Sequence, residues 1–141
     1  MENEPINFFV EELDFEVSKE LDIKNWLKQI IAHHKGNLAF INYIFCSDEY
    51  LHKINLEYLG HDTYTDIITF DYDEEVIESD IYISVERVKE NAEELKIAFE
   101  EELHRVMAHG VLHLLGFGDK TPEEKQKMRE LEGECLSYRK N

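Results

Sequence analysis

HGVLHLLGFGD, residues 109–119, is the stretch from which the rest of the chain can be read. His109 and His113 are four residues apart, slightly more than one helical turn, so on a helix both imidazoles leave the same face and can converge. Gly116 follows, and glycine just past the end of a helix takes the left-handed conformation that turns the chain back. Asp119 then lies where the returning chain can bring its carboxylate up to the histidines. Two imidazoles and one carboxylate around a tetrahedral ion leave one position open, which is the ligand set of a catalytic zinc site. A histidine pair at this spacing, taken alone, is more often a packed or solvated pair. The glycine turn and the carboxylate at its offset are what make these three residues metal ligands. A closed structural site would call for four ligands rich in Cys, and no Cys lies nearby.

The helix that carries the pair is expected over residues 97–115. It opens with three glutamates, 100–102, and ends almost wholly apolar with Val106, Met107, Ala108, Val111, Leu112, Leu114 and Leu115. A helix apolar all round goes inward, so its second half is expected at the centre of the domain. Histidines there are costly to bury unless something pairs them, as a metal does. Gly110 in the helix interior costs about 1 kcal/mol against Ala, so close approach of a strand or a ligand is expected there. The spacing also matches the H-E-x-x-H-x-x-G-x-x-H frame of metzincin proteases, with one break. Gly110 stands where the protease carries its general-base Glu.

Working outward, Ile6–Val10 reads as a first strand, and a helix begins at Ser18. Ile23, Trp26, Leu27, Ile30, Ile31 and His34 fall on one face of that helix, and Gly36 is expected to end it. His33 and His34 suit the negative end of the helix dipole, which is sufficient reason for them. Leu38–Cys46 is the second strand. Ser47 and Asp48 start a short helix to about Leu59. Thr65–Tyr72 and Asp80–Ser84 form a hairpin with a long acidic loop. Ser84 caps a helix over Val85–Leu95. Thr121, Pro122 and Glu124 open the last helix as N-cap, first position and third position, and it runs to about Tyr138. The expected architecture is α/β (α+β), a small mixed four-stranded sheet packed with about five helices around the central apolar helix. Residues 1–141 are expected to form a single domain.

Composition sets limits on function. The chain is 43% hydrophobic, which excludes a disordered protein, and no apolar run approaches the roughly 20 residues that span a bilayer. The acidic N-terminus, MENEPINFFVEE, is unlike a secretion signal, so a cytoplasmic protein is expected. Cys46 and Cys135 are expected to be reduced thiols. A net charge of −17 opposes broad affinity for nucleic acid. Two small basic groups, Arg87 with Lys89 and Lys120 through Arg129, are interleaved with Glu and read as mixed solvated faces.

HGVLHLLGFGD resembles the H-G-x-L-H-L-x-G-Y-D-H signature of the YbeY family of bacterial endoribonucleases and rRNA maturation factors. NLEYLGHDTYTDIITFDY, residues 55–72, is similar to that family's N-x-x-Y-R-x-x-D-x-x-T-D-V-L-S-F segment, and SDIYIS, residues 79–84, to its G-D-I-x-I-S strand. The helix with Glu102, Arg105 and the histidines resembles its metal-binding helix. The resemblance implies one zinc ion per chain, held by His109 and His113 with Asp119 in the place of the family's third histidine. It also implies cleavage of single-stranded ribosomal or precursor rRNA in ribosome maturation. With a net charge of −17, the RNA is expected to be presented by ribosomal proteins or assembly factors, and no membrane partner is expected. A second departure is Leu59, where the family carries an Arg that faces phosphate; His61 or Lys53 would have to substitute for it. The general acid and base stay unassigned, although Asp66 and Thr69 lie on the strand expected to flank the cleft. Two other readings stand beside this one: a zinc hydrolase of another substrate such as peptide, and a non-catalytic, zinc-stabilised ribosome assembly factor.

Overall fold

A computed structural model describes residues 5–139. Residues 1–4, which belong to the acidic N-terminal stretch, and 140–141 lie outside the described residues. The elements run β1 (Ile6–Glu11), α1 (Glu20–His33), β2 (Leu38–Cys46), α2 (Asp48–Leu59), β3 (Ile67–Asp71), β4 (Ile77–Ser84), α3 (Val85–Leu95), α4 (Phe99–Leu114) and α5 (Pro122–Ser137). The sheet order is β1-β2-β4-β3; β1, β2 and β4 are mutually parallel and β3 is antiparallel to β4. Parallel neighbours need crossovers, and α1 supplies the first while α2 with β3 supplies the second. The expected mixed four-stranded sheet with five helices is the one found.

Alternation along the strands decides where the core lies. Ile41, Tyr43 and Phe45 of β2 and Ile81 and Ile83 of β4 are fully buried in the main core, with α1, α3, α4 and α5. The opposite face carries a smaller cluster in which Leu51 of α2 meets Cys46 and Ile68, flanked by Tyr50, Phe70 and Tyr82. The central helix α4 packs on α1, α3, α5 and both strands of the hairpin. The Tyr43 hydroxyl donates to the Met107 carbonyl at 3.0 Å, pinning α4 to the middle of the sheet. Cys46 and Cys135 are both buried free thiols.

Three local features differ from expectation. The hairpin loop is shorter than expected, because Ile77–Ser79 join β4 and the Tyr72 N–H donates to the Glu78 carbonyl. The Asp73 side chain makes the tight turn possible by accepting from the backbone N–H groups of Glu75 at 2.7 Å and Val76 at 3.0 Å. The end of α1 is turned by Lys35, whose φ is 59°, and not by Gly36. Gly36 is needed for space: a Cβ there would lie 2.7 Å from Leu115 Cδ2 and 2.9 Å from Ile31 Cγ2. Finally, Glu102, read from its sequence as part of a charged helix start, is fully buried.

Candidate metal centre

α4 delivers His109 and His113 on one face, as their spacing requires, with ring centroids 4.6 Å apart. The helix ends on a paired turn in which the Phe117 N–H reaches back to the Leu112 carbonyl and the Gly116 N–H to that of His113. Gly116 has a φ of 101°, the left-handed conformation expected of it. The returning loop is then fixed from the far side. Thr121 caps α5, and the Glu124 carboxylate accepts the N–H groups of Lys120 at 3.1 Å and Thr121 at 3.0 Å. Asp119 is thereby held against the histidines, its Oδ2 3.4 Å from His109 Nε2 and 3.6 Å from His113 Nε2.

These distances test whether the three residues fit a metal. Ligands about 2.0–2.2 Å from a tetrahedral ion lie roughly 3.3–3.6 Å from one another. One ligand atom from each residue falls within 4.8 Å of the other two, and the two carboxylate–imidazole separations match the tetrahedral edge. Two imidazole nitrogens and a carboxylate oxygen are a donor set for a borderline transition metal rather than for calcium or magnesium. The geometry therefore fits a metal at His109, His113 and Asp119.

Behind the cluster lies a buried polar network. His109 Nδ1 is 2.6 Å from Glu132 Oε2, and the other oxygen of Glu132 accepts from Arg105 Nη1 at 3.1 Å. Arg105 also forks onto both oxygens of Glu102, Nε at 2.8 Å and Nη2 at 2.6 Å. The hydrogen bonds to Glu102 together with the charge of Glu132 push the guanidinium pKa up despite partial burial. Glu132 did not stand out in the sequence reading. Its signal was present, however: a carboxylate in the stripe of Met128, Leu131 and Cys135, all of them buried.

In front of the cluster is a cleft of about 570 Å³ between α4, β3 and the segment after α2. Asp66, Thr69 and His61 line it, and so does Leu59, the position at which the resemblance places an Arg. Lys53 is not among the lining residues. Burial pushes the Asp66 carboxyl above its ordinary value, opposed by the Arg105 charge, by a backbone N–H and by His109. Asn91 donates to it at 3.4 Å. Gly110 faces the sheet, where an added Cβ would stand 3.1 Å from Ile81 Cδ1 and 3.2 Å from Ile67 Cδ1. Close approach of the strands is the compensation for a glycine in mid-helix. Of the two basic groups, Arg87 is engaged by Asp48, with its Nη2 2.7 Å from Asp48 Oδ2. His33 and His34 lie outside the cleft, packed edge to face on one another, with His34 edge to face on Phe117 and His33 tilted against Tyr138. Among the described residues no helix is long and apolar enough to cross a membrane.

Comparison with known proteins places the chain in a family. The family model described as endoribonuclease YbeY matches residues 8–140. A protein of Christiangramia forsetii named endoribonuclease YbeY is 53% identical over 138 residues, 97% of this chain and 96% of its own. One of the same name from Cytophaga hutchinsonii is 49% identical over 99% of each chain. Among solved structures, the solution structure of TM1509 from Thermotoga maritima superposes with a TM-score of 0.65 at 29% identity, covering 94% of this chain and 89% of that one. With a family model spanning nearly its whole length and relatives near 50% identity, this chain belongs to the YbeY family of endoribonucleases, hydrolytic enzymes.

Proposed function

We propose that the protein is a zinc-dependent endoribonuclease that cleaves single-stranded ribosomal or precursor rRNA during ribosome maturation in the cytoplasm. The observation that carries this reading is the placement of His109, His113 and Asp119 at tetrahedral spacing on the wall of an open cleft. His109 and His113 supply Nε2 and Asp119 supplies Oδ2. The zinc, when bound, offers Lewis-acid polarisation of a phosphoryl oxygen. The cleft supports a need for such an ion, because Asp66, Asp71 and Asp119 line it and would repel phosphate unless a divalent charge offset them. Asp66, partly buried and with its pKa raised, is the group in the cleft best suited to hold or accept a proton. His61 is the side chain there that can donate to a phosphate oxygen where Leu59 cannot.

The alternative of a peptide hydrolase has less support. A protease of this frame needs a carboxylate at position 110, and that position is filled by the tips of Ile67 and Ile81. The reading as a ribosome assembly factor without catalysis draws on the apolar Leu59 in the cleft and on the net charge of −17.

The test is elemental analysis of purified, untagged protein beside His113→Ala, followed by cleavage assays on single-stranded RNA. About one zinc per chain, lost together with RNA cleavage in the variant, is the expected result. Zinc in the wild type with no RNA cleavage would favour the assembly factor.

A further inference from the structure

Glu132 occupies a position that the pattern of α5 reserves for an apolar side chain, and it is 4% exposed. A carboxylate taken out of water costs several kcal/mol unless its oxygens are fully engaged. Here each oxygen has a separate task. Oε2 faces His109 Nδ1 at 2.6 Å, and Oε1 accepts from Arg105 Nη1 at 3.1 Å. Arg105 cannot swing away, because its Nε and Nη2 are spent on both oxygens of fully buried Glu102. We infer that Glu132 is the positioning residue of the metal centre, and that the Arg105 fork on Glu102 locks it in place.

The position of one proton decides which nitrogen of His109 can be a ligand. A neutral imidazole carries one N–H, so donation from Nδ1 to Glu132 leaves the lone pair on Nε2. That is the His109 atom facing Asp119 Oδ2. The first ligand is thus aimed before any ion arrives. Among the described residues His113 has no corresponding partner at Nδ1, and its side chain is 33% exposed against 17% for His109. The two histidines are therefore unequal: His109 is preset by the protein, and His113 adjusts to the ion.

Charge points the same way. Arg105 offsets Glu102, while Asp119 and Glu132 each place a carboxylate beside His109. A centre that is anionic when empty favours cation uptake.

This inference rests on the metal site proposed above, and the test separates the two. Zinc affinity is measured by competition with a chromophoric chelator for wild type and Glu132→Gln, beside the thermal unfolding of both metal-free proteins. Gln can accept from His109 or from Arg105 but must present an N–H to the other, so it cannot do both. The expected result is affinity weaker by about 10–100-fold in a folded variant. A readout needing no variant is the imidazole nitrogen spectrum of the metal-free wild type, in which the neutral His109 ring is expected to carry its proton on Nδ1. Zinc affinity of Glu132→Gln within threefold of wild type, or a His109 proton on Nε2, would overturn the inference. Wild type that takes up no zinc would sink the metal reading, and this inference with it.

Discussion

Thr121 and Glu124 hold each other across the first turn of α5. The Thr121 hydroxyl accepts the Glu124 N–H at 3.1 Å, and the Glu124 carboxylate accepts the Thr121 N–H at 3.0 Å. Asp119 sits two residues before this box, so a helix cap doubles as the anchor of a metal ligand. Thr121→Ala is expected to cost about 1 kcal/mol, seen as a fall in the unfolding midpoint of roughly 3–5 °C. Backbone hydrogen bonds hold the Glu124 carboxyl below its ordinary range. Its contribution is therefore present above that range and is lost as pH falls through the lowered value. An unchanged midpoint in Thr121→Ala at pH 7 would show that the cap adds nothing.

Gly36 admits no side chain without displacement. Its would-be neighbours are Leu115, Ile31 and Ile77, and Ile31 is β-branched and stiff. Gly36→Ala should destabilise the protein by about 1–3 kcal/mol, measured by denaturant unfolding with an unchanged slope. Because the backbone there is not left-handed, a stabilised Gly36→Ala would mean that Leu115 yields freely.

Asp66 carries a cost at neutral pH. Burial raises its pKa, so the folded chain keeps that proton to higher pH than the unfolded chain does. Its stabilising contribution is complete below the ordinary value of 3.8 and is lost as pH rises through the raised folded value. Metal-free Asp66→Asn is accordingly expected to be more stable than wild type at pH 7, with the difference vanishing in acid. RNA cleavage by the loaded variant should fall by about 100-fold or more if Asp66 handles a proton. Equal melting curves at both pH values would contradict the burial argument.

Leu59 lies on the cleft wall and is 44% exposed. Leu59→Arg should tighten binding of single-stranded RNA and steepen its salt dependence by roughly one phosphate contact. A salt slope identical to that of wild type would mean that the RNA path does not cross this position.

Much of this was legible because it rests on short-range rules. The helical spacing of His109 and His113, the glycine that must turn left-handed and the Thr-Pro-x-Glu start of α5 are local, and each forms as its sequence dictates. Asp66 and Thr69, expected on a strand flanking the cleft, both line it. What escaped was set by tertiary neighbours. Glu102 and Glu132 look like surface charges one residue at a time, and only the docking of α4 on α5 lets Arg105 bridge them. Gly36 looked like a helix terminator because that is glycine's commonest duty there, while its actual constraint comes from Leu115, almost eighty positions further along. The hairpin loop appeared long because nothing in its composition announced that Asp73 would fold it.

The two buried thiols have a further consequence. Cys46 belongs to the cluster beneath α2, where burial drives its pKa up to about 12. Cys135 is on the buried face of α5, where burial drives its pKa up to about 11, and its carbonyl is taken by the Trp26 indole N–H at 2.7 Å. Neither sulfur can meet an alkylating reagent until its own cover lifts, and the two covers are on opposite faces of the sheet. The rates at which the two thiols react therefore record separately how often each layer of the molecule opens. The native chain carries this pair of reporters without any added label.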